Sequence, residues 1–190
     1  MQRAMGWLLK NLLYKLRTET KKQYNRVNPF FEDVIDWKEK GKFCSGNKNV
    51  TIYDSTTIIG NVIIEDHVWI GPFCLLDGGG GLYIGEFTNV STGCQILTHD
   101  TIRYALSGGK QPYEYAPVCI GKCCFIGTHA VILKGVTLGD HCLVAANSLV
   151  NKSFPSYSIV GGMPATQIGK VAMLEDAQIN LEYFKKEADK

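Results

Sequence analysis

Residues 120–144 read IGKCCFIGTHAVILKGVTLGDHCLV, and an aliphatic side chain returns at every sixth position: Ile120, Ile126, Ile132, Leu138 and Val144. Outward from there the spacing continues to Val150, and towards the N-terminus it recurs at Ile52, Ile58, Ile64, Ile70 and Leu76 and again at Ile84, Val90 and Ile96, fourteen hexads in all. The fifth place is mostly small or β-branched, as at Thr56, Cys74, Thr88, Cys94, Ala130 and Ser148, and the second is often Gly or acidic. A period of six fits neither an amphipathic helix nor a lone alternating strand. It is the mark of a parallel β-helix, in which each repeat supplies one short strand and a corner and the stacked coils share one apolar interior. Three hexads make a coil, which returns the chain above itself at about 4.8 Å; the expectation is an all-β solenoid of about five coils.

The repeat breaks twice. From Leu76 to Ile84 the step is eight residues, with the two extra ones inside Gly78 to Gly81. A larger excursion follows Leu97-Thr98-His99: residues 100–117 leave the coil, and Val118-Cys119 supply the missing fifth and sixth places before Ile120. Hexads three apart stack on one face, so the Ile96 hexad lies over the Leu76 hexad and His99 falls almost directly over Gly79. A histidine at the lip of a long loop, above glycines that let another molecule approach closely, is a candidate site.

Composition fits one soluble domain: 190 residues, 45% hydrophobic, formal charge +2. No broad basic surface is implied, so a nucleic-acid partner is not expected. Cys74, Cys94, Cys124 and Cys142 all take the small fifth place and read as core filler, while Cys119, Cys123 and Cys124 lack paired CxxC spacing, so no metal site is expected. Unpaired cysteines fit a reducing compartment and a cytoplasmic location. His67, His129 and His141 share the fourth hexad place with His99 but fall on other faces, so one chain cannot gather them. Lys122 and Asp140, eighteen residues apart, read as a surface ion pair.

The ends are organised differently. Met1 to Lys22 interleaves Leu8, Leu9, Leu12, Leu13 and Leu16 with Lys10, Lys15, Arg17, Lys21 and Lys22, the pattern of an amphipathic helix. Lys10 interrupts the apolar run, so the segment is not a membrane span. It reads as packing on the β-helix or a neighbouring subunit, with peripheral contact with an acidic membrane as the second reading. The organisation expected is therefore 1–48 as a helical capping segment, 49–170 as the β-helix with loop 100–117, and 171–190 as a C-terminal helix covering the last coil edge.

Together, the hexads, the Thr98-His99 lip, Phe125-Ile126-Gly127-Thr128-His129, Gly135-Val136-Thr137-Leu138-Gly139-Asp140 and Gly161-Gly162-Met163-Pro164-Ala165 resemble the hexapeptide-repeat acyltransferases, in the branch of maltose, galactoside and polysaccharide O-acetyltransferases. The resemblance covers about 49–170. It implies a left-handed β-helix, although parallel crossovers are ordinarily right-handed. It also implies a homotrimer with acetyl-CoA between subunits and His99 as the catalytic base that deprotonates a sugar hydroxyl, on a surface polysaccharide or its precursor. It places an oxyanion-binding backbone amide near Thr128 and cofactor contacts at Phe125, Gly127, Thr128, Ala146, Lys152, Thr166 and Lys170. Lys134, eighteen residues before Lys152 on the face of His99, joins these as a phosphate contact.

Asp77, Gly79, Arg103, Tyr104 and Tyr113 are the candidate acceptor contacts, and Asp77 is also a candidate for orienting the imidazole. The acceptor-binding Asn of the galactoside branch is missing around Ile70 to Pro72. An amino-sugar N-acetyltransferase, an antibiotic acetyltransferase and a non-catalytic scaffold are the alternatives.

Overall fold

The computed structural model describes residues 2–34, 37–46 and 48–184. Three helices precede the coils: α1 (Gln2–Tyr24), α2 (Phe30–Val34) and α3 (Trp37–Ser45). The body that follows is a three-faced parallel solenoid. One face stacks β1 (Thr51–Ile52), β3 (Trp69–Ile70), β5 (Asn89–Val90), β10 (Phe125–Ile126), β13 (Leu143–Val144) and β15 (Ser158–Gly162), all parallel. That face therefore has six rungs, one more than the coil count expected from the hexads.

The second face stacks the starts of β2 (Thr57–Ile64) and β4 (Leu75–Ile84) with β6 (Gln95–Ile96), β11 (Val131–Ile132) and β14 (Leu149–Val150). The third carries the ends of β2 and β4, then β9 (Val118–Ile120) and β12 (Thr137–Leu138). β2 and β4 run without a break around the corner between second and third faces.

The six-residue period has a direct physical cause. First-place side chains such as Ile70, Leu76, Ile96, Ile126 and Ile132 are wholly buried, and so, nearly, are fifth-place Cys74, Thr88, Cys94 and Ala130. Between them the chain must turn, and the fourth place does so in the left-handed region at His67, Phe73, Phe87, Cys123, His129, His141 and Asn147, with φ between 56° and 59°. Asn and His tolerate that region better than most side chains. Coils are joined by main-chain bonds such as Leu75 N–H to the Cys94 carbonyl and Gln95 N–H to the Ala130 carbonyl.

α2 is fastened to the first coil by the buried Glu32 carboxylate, which accepts from the Ser55 and Asp54 amides and the Ser55 hydroxyl. At the other end the expected C-terminal helix is absent over 171–184. β15 instead turns back into antiparallel β16 (Ala165–Met173), which pairs with β17 (Ile179–Tyr183). An edge strand covered by another strand keeps its N–H and C=O groups paired, which a helix laid across it would not do. Residues 185–190 of the expected helix lie outside the described residues.

Candidate active site

His99 is the one histidine of the four without a left-handed backbone. The reason is the excursion. After Thr98 the chain does not turn the corner but runs into β7 (His99–Asp100), which pairs antiparallel with β8 (Glu114–Tyr115), with α4 (Ile102–Leu106) between them. The Ala116 amide bonds back to the Thr98 carbonyl, and Val118 resumes on the Leu82 rung of β4. The hairpin therefore stands at the corner between second and third faces and carries His99 at its base.

Beneath it, the two extra residues of β4 bulge. Gly60 pairs with Gly78 and Val62 with Leu82, so the register shifts across this corner. Asp77, at the start of the bulge, is 2% exposed yet fully engaged. One oxygen accepts from the Gly79 amide at 2.9 Å; the other accepts from the Thr98 amide at 2.9 Å and the Thr98 hydroxyl at 3.1 Å. That second oxygen, Oδ2, also lies 2.6 Å from His99 Nδ1. Burial alone pulls the Asp77 carboxyl upward, but the bonds from Gly79, Thr98 and His99 outweigh it and hold the group below its ordinary value. Asp77 is therefore an ionised acceptor, and His99 must donate through Nδ1–H; the lone pair is left on Nε2.

The imidazole is fixed in one further way. Tyr115 stacks on it at a centroid distance of 5.4 Å and an interplanar angle of 23°. Gly79 leaves the space beside it open: a Cβ there would sit 3.1 Å from Asp77 Oδ1 and 3.7 Å from His99 Nδ1. Sequence spacing puts Gly79 and His99 together, but it has no signal for Tyr115, whose place depends on the antiparallel pairing of the hairpin.

Other candidates lie elsewhere. Lys134, the expected contact for a cofactor phosphate, is bonded to the loop: its ammonium is 2.7 Å from Glu114 and 3.2 Å from Asp100. The bond that Lys134 donates to Glu114, followed by that to Asp100, raises the pKa of its ammonium. Arg103 also pairs with Glu114, at 2.5 Å, and Tyr104 packs edge-on against Tyr113 at 4.9 Å. These expected acceptor contacts therefore build the loop. The expected ion pair of Lys122 with Asp140 is a main-chain contact, the Lys122 amide donating to Asp140 Oδ1 at 3.0 Å.

The remaining cofactor candidates fall on two edges of one chain. Phe125 and Gly127 lie on the first face, Thr128 and Ala146 follow at the corner between first and second faces, and Thr166 and Lys170 lie in β16 beyond β15. Lys152 shares the edge of His99, its ammonium 5.6 Å from the centre of the Phe154 ring. Strand β11 separates Thr128 from the His99 edge, so a single chain does not bring the two together. His129 lies over Gly93, where an added Cβ would meet its ring at 2.4 Å.

A three-faced hexad solenoid with a histidine–aspartate pair at the root of a protruding loop is the frame within which this chain resembles known transferases. Residues 117–152 match the model of the hexapeptide repeat of succinyl-transferase. Serine acetyltransferase 2 of Arabidopsis thaliana is 36% identical over 127 residues, which are 63% of this chain and 38% of that protein. Galactoside O-acetyltransferase of Escherichia coli (strain K12) is 30% identical over 131 residues, 69% of this chain and 53% of that protein. Among solved structures, AntD, an N-acyltransferase from Bacillus cereus in complex with dTDP and 3-hydroxybutyryl-CoA, is 28% identical with a TM-score of 0.59, over 65% of this chain and 70% of that one. The repeat model and the acetyltransferase relatives support the hexapeptide-repeat acyltransferase family for this chain. The match spans 38% and 53% of the length of the two curated relatives.

Proposed function

We propose that the protein transfers acetyl from acetyl-CoA to a hydroxyl of a sugar, on a surface polysaccharide or its precursor, with His99 as general base. The observation that carries this reading is the 2.6 Å contact of His99 Nδ1 with buried, ionised Asp77, which leaves Nε2 as the basic atom. A hydroxyl is a poor nucleophile. Nε2 takes its proton as the oxygen attacks the thioester carbonyl. Collapse of the tetrahedral adduct expels the CoA thiolate, which recovers the proton from the imidazolium, leaving an acetyl ester and free CoA.

The developing oxyanion needs donors already in position, and the amide near Thr128 is the candidate. Because Thr128 and His99 lie on different edges, the reading requires a homotrimer in which the His99 edge of one subunit faces the Thr128 edge of the next. With Lys134 held by the loop, Lys152 and Lys170 are left for the CoA phosphates. The names of the galactoside and serine acetyltransferases support acetyl transfer. The N-acyltransferase AntD favours a second reading, transfer to the amine of an amino sugar.

The test is CoA release from acetyl-CoA across sugars, nucleotide sugars, amino sugars and lipid-linked glycans, for the wild type beside His99→Ala. Release that depends on a hydroxyl acceptor and is lost in the variant supports the reading. Release only with amino sugars moves it to the second, and equal release by both proteins removes His99 as the base.

A further inference from the structure

We propose that α1 docks the protein on an anionic membrane surface. The helix is 23 residues long and carries Arg3, Lys10, Lys15, Arg17, Lys21 and Lys22 against Glu19 alone. Its side towards the body is marked by the partly buried Gly6, Leu13, Leu16 and Thr20. Beside that side, Met5, Leu8, Leu9 and Leu12 occupy positions i, i+3, i+4 and i+7 and so share one stripe. They are 58%, 63%, 51% and 47% exposed. Among the described residues nothing covers this row of four large apolar side chains, and a contiguous exposed apolar row marks an interaction surface.

Charge identifies the occupant. Lys15 and Lys22, seven residues apart, follow one flank of the stripe, and Lys10 lies on the opposite side of the helix. Among the described residues none of the three is engaged in an ion pair, whereas Arg17 faces Asp33 at 3.7 Å and Lys21 bonds Asn25 at 2.6 Å. An apolar stripe with unneutralised cations beside it fits the boundary between acyl chains and acidic headgroups, where the stripe enters and the ammonium groups remain at headgroup level. Trp7 and Tyr14 lie on the far side of the helix and stay in water. No described helix is long and apolar enough to cross a membrane, so the contact is along the surface. The inference is independent of the reaction proposed above; if both hold, the solenoid works beside lipid-linked glycans.

The test is co-sedimentation of the full chain, tagged only at its C-terminus, with vesicles of phosphatidylcholine alone or of equal parts phosphatidylcholine and phosphatidylglycerol. Binding is expected to the mixed vesicles only and to weaken as salt is raised. Leu8→Glu with Leu12→Glu is expected to abolish it, with an unchanged circular dichroism spectrum and melting temperature. Lys15→Glu with Lys22→Glu is expected to lower it by roughly 10-fold or more. Absence of binding to either vesicle overturns the proposal, as does equal binding to both. So does a result in which the Leu8/Leu12 variant keeps its vesicle binding, or in which that variant dissociates by light scattering while the wild type ignores vesicles, which would make the stripe a contact between copies.

Discussion

His99 and Asp77 are twenty-two residues apart in sequence and 2.6 Å apart in space, joined through Nδ1 and Oδ2. The same oxygen accepts from the Thr98 amide and hydroxyl, so the residue just before the histidine helps to hold the histidine's partner.

Asp77→Asn is expected to lower kcat/KM by about 100-fold to 10,000-fold, with KM for acetyl-CoA little changed. An amide presents a donor as well as an acceptor, so it no longer enforces the tautomer that leaves Nε2 free. Steady-state kinetics on purified variant checks this; kcat within a few-fold of wild type would show that Asp77 does not orient the base.

Asp77 also predicts a pH dependence of stability. Its value in the folded protein is below the ordinary 3.8, so it stabilises the fold fully above 3.8, and that contribution is lost as pH falls through the lowered value. Urea midpoints of wild type and Asp77→Asn should therefore differ by a constant amount near neutral pH and converge in acid. A gap that widens on acidification would contradict the assignment.

Lys134→Met should free the loop without unfolding the coils. Asp100 and Glu114 lose their shared cation, and limited proteolysis should cut within 101–113 faster than in wild type. Because the base of the hairpin carries His99, activity is expected to fall between about 10-fold and 100-fold. Loss of cofactor binding with an unaltered cleavage pattern would instead make Lys134 a phosphate ligand.

Core and corner substitutions should separate by kind. Ile126→Ala removes a fully buried first-place side chain and is expected to destabilise by about 2–5 kcal/mol. Asn147, at φ 57°, should lose about 1 kcal/mol on change to Ala and little on change to Gly, because the short polar side chain of Asn offsets the Cβ penalty of this region, Gly has no Cβ, and Ala has the Cβ without the compensation. Chemical denaturation of the three variants measures both.

The solenoid was legible because its cause is local: one side chain in six must be apolar and another must be small. Val118 could likewise be returned to its rung from spacing alone. The orientation of Asp77 could not be chosen from spacing, since contact with the acceptor and contact with the imidazole require the same carboxylate at the same bulge. The coil position of Lys134 suits a phosphate contact, but sequence alone does not show that Asp100 and Glu114 fold back onto it. At the C-terminus, Val171 to Met173 carry no strict alternation, and they extend as strand because β16, started on the open edge of β15 through residues 165–170, is paired there by β17, which is a tertiary reason.

The excursion that carries His99 leaves the coil after Thr98 and rejoins at Val118 on the rung it would have reached anyway. Its length is therefore decoupled from the stacking above and below. Residues 101–113 can be lengthened, shortened or rewritten while the aspartate, the histidine and every buried rung keep their places.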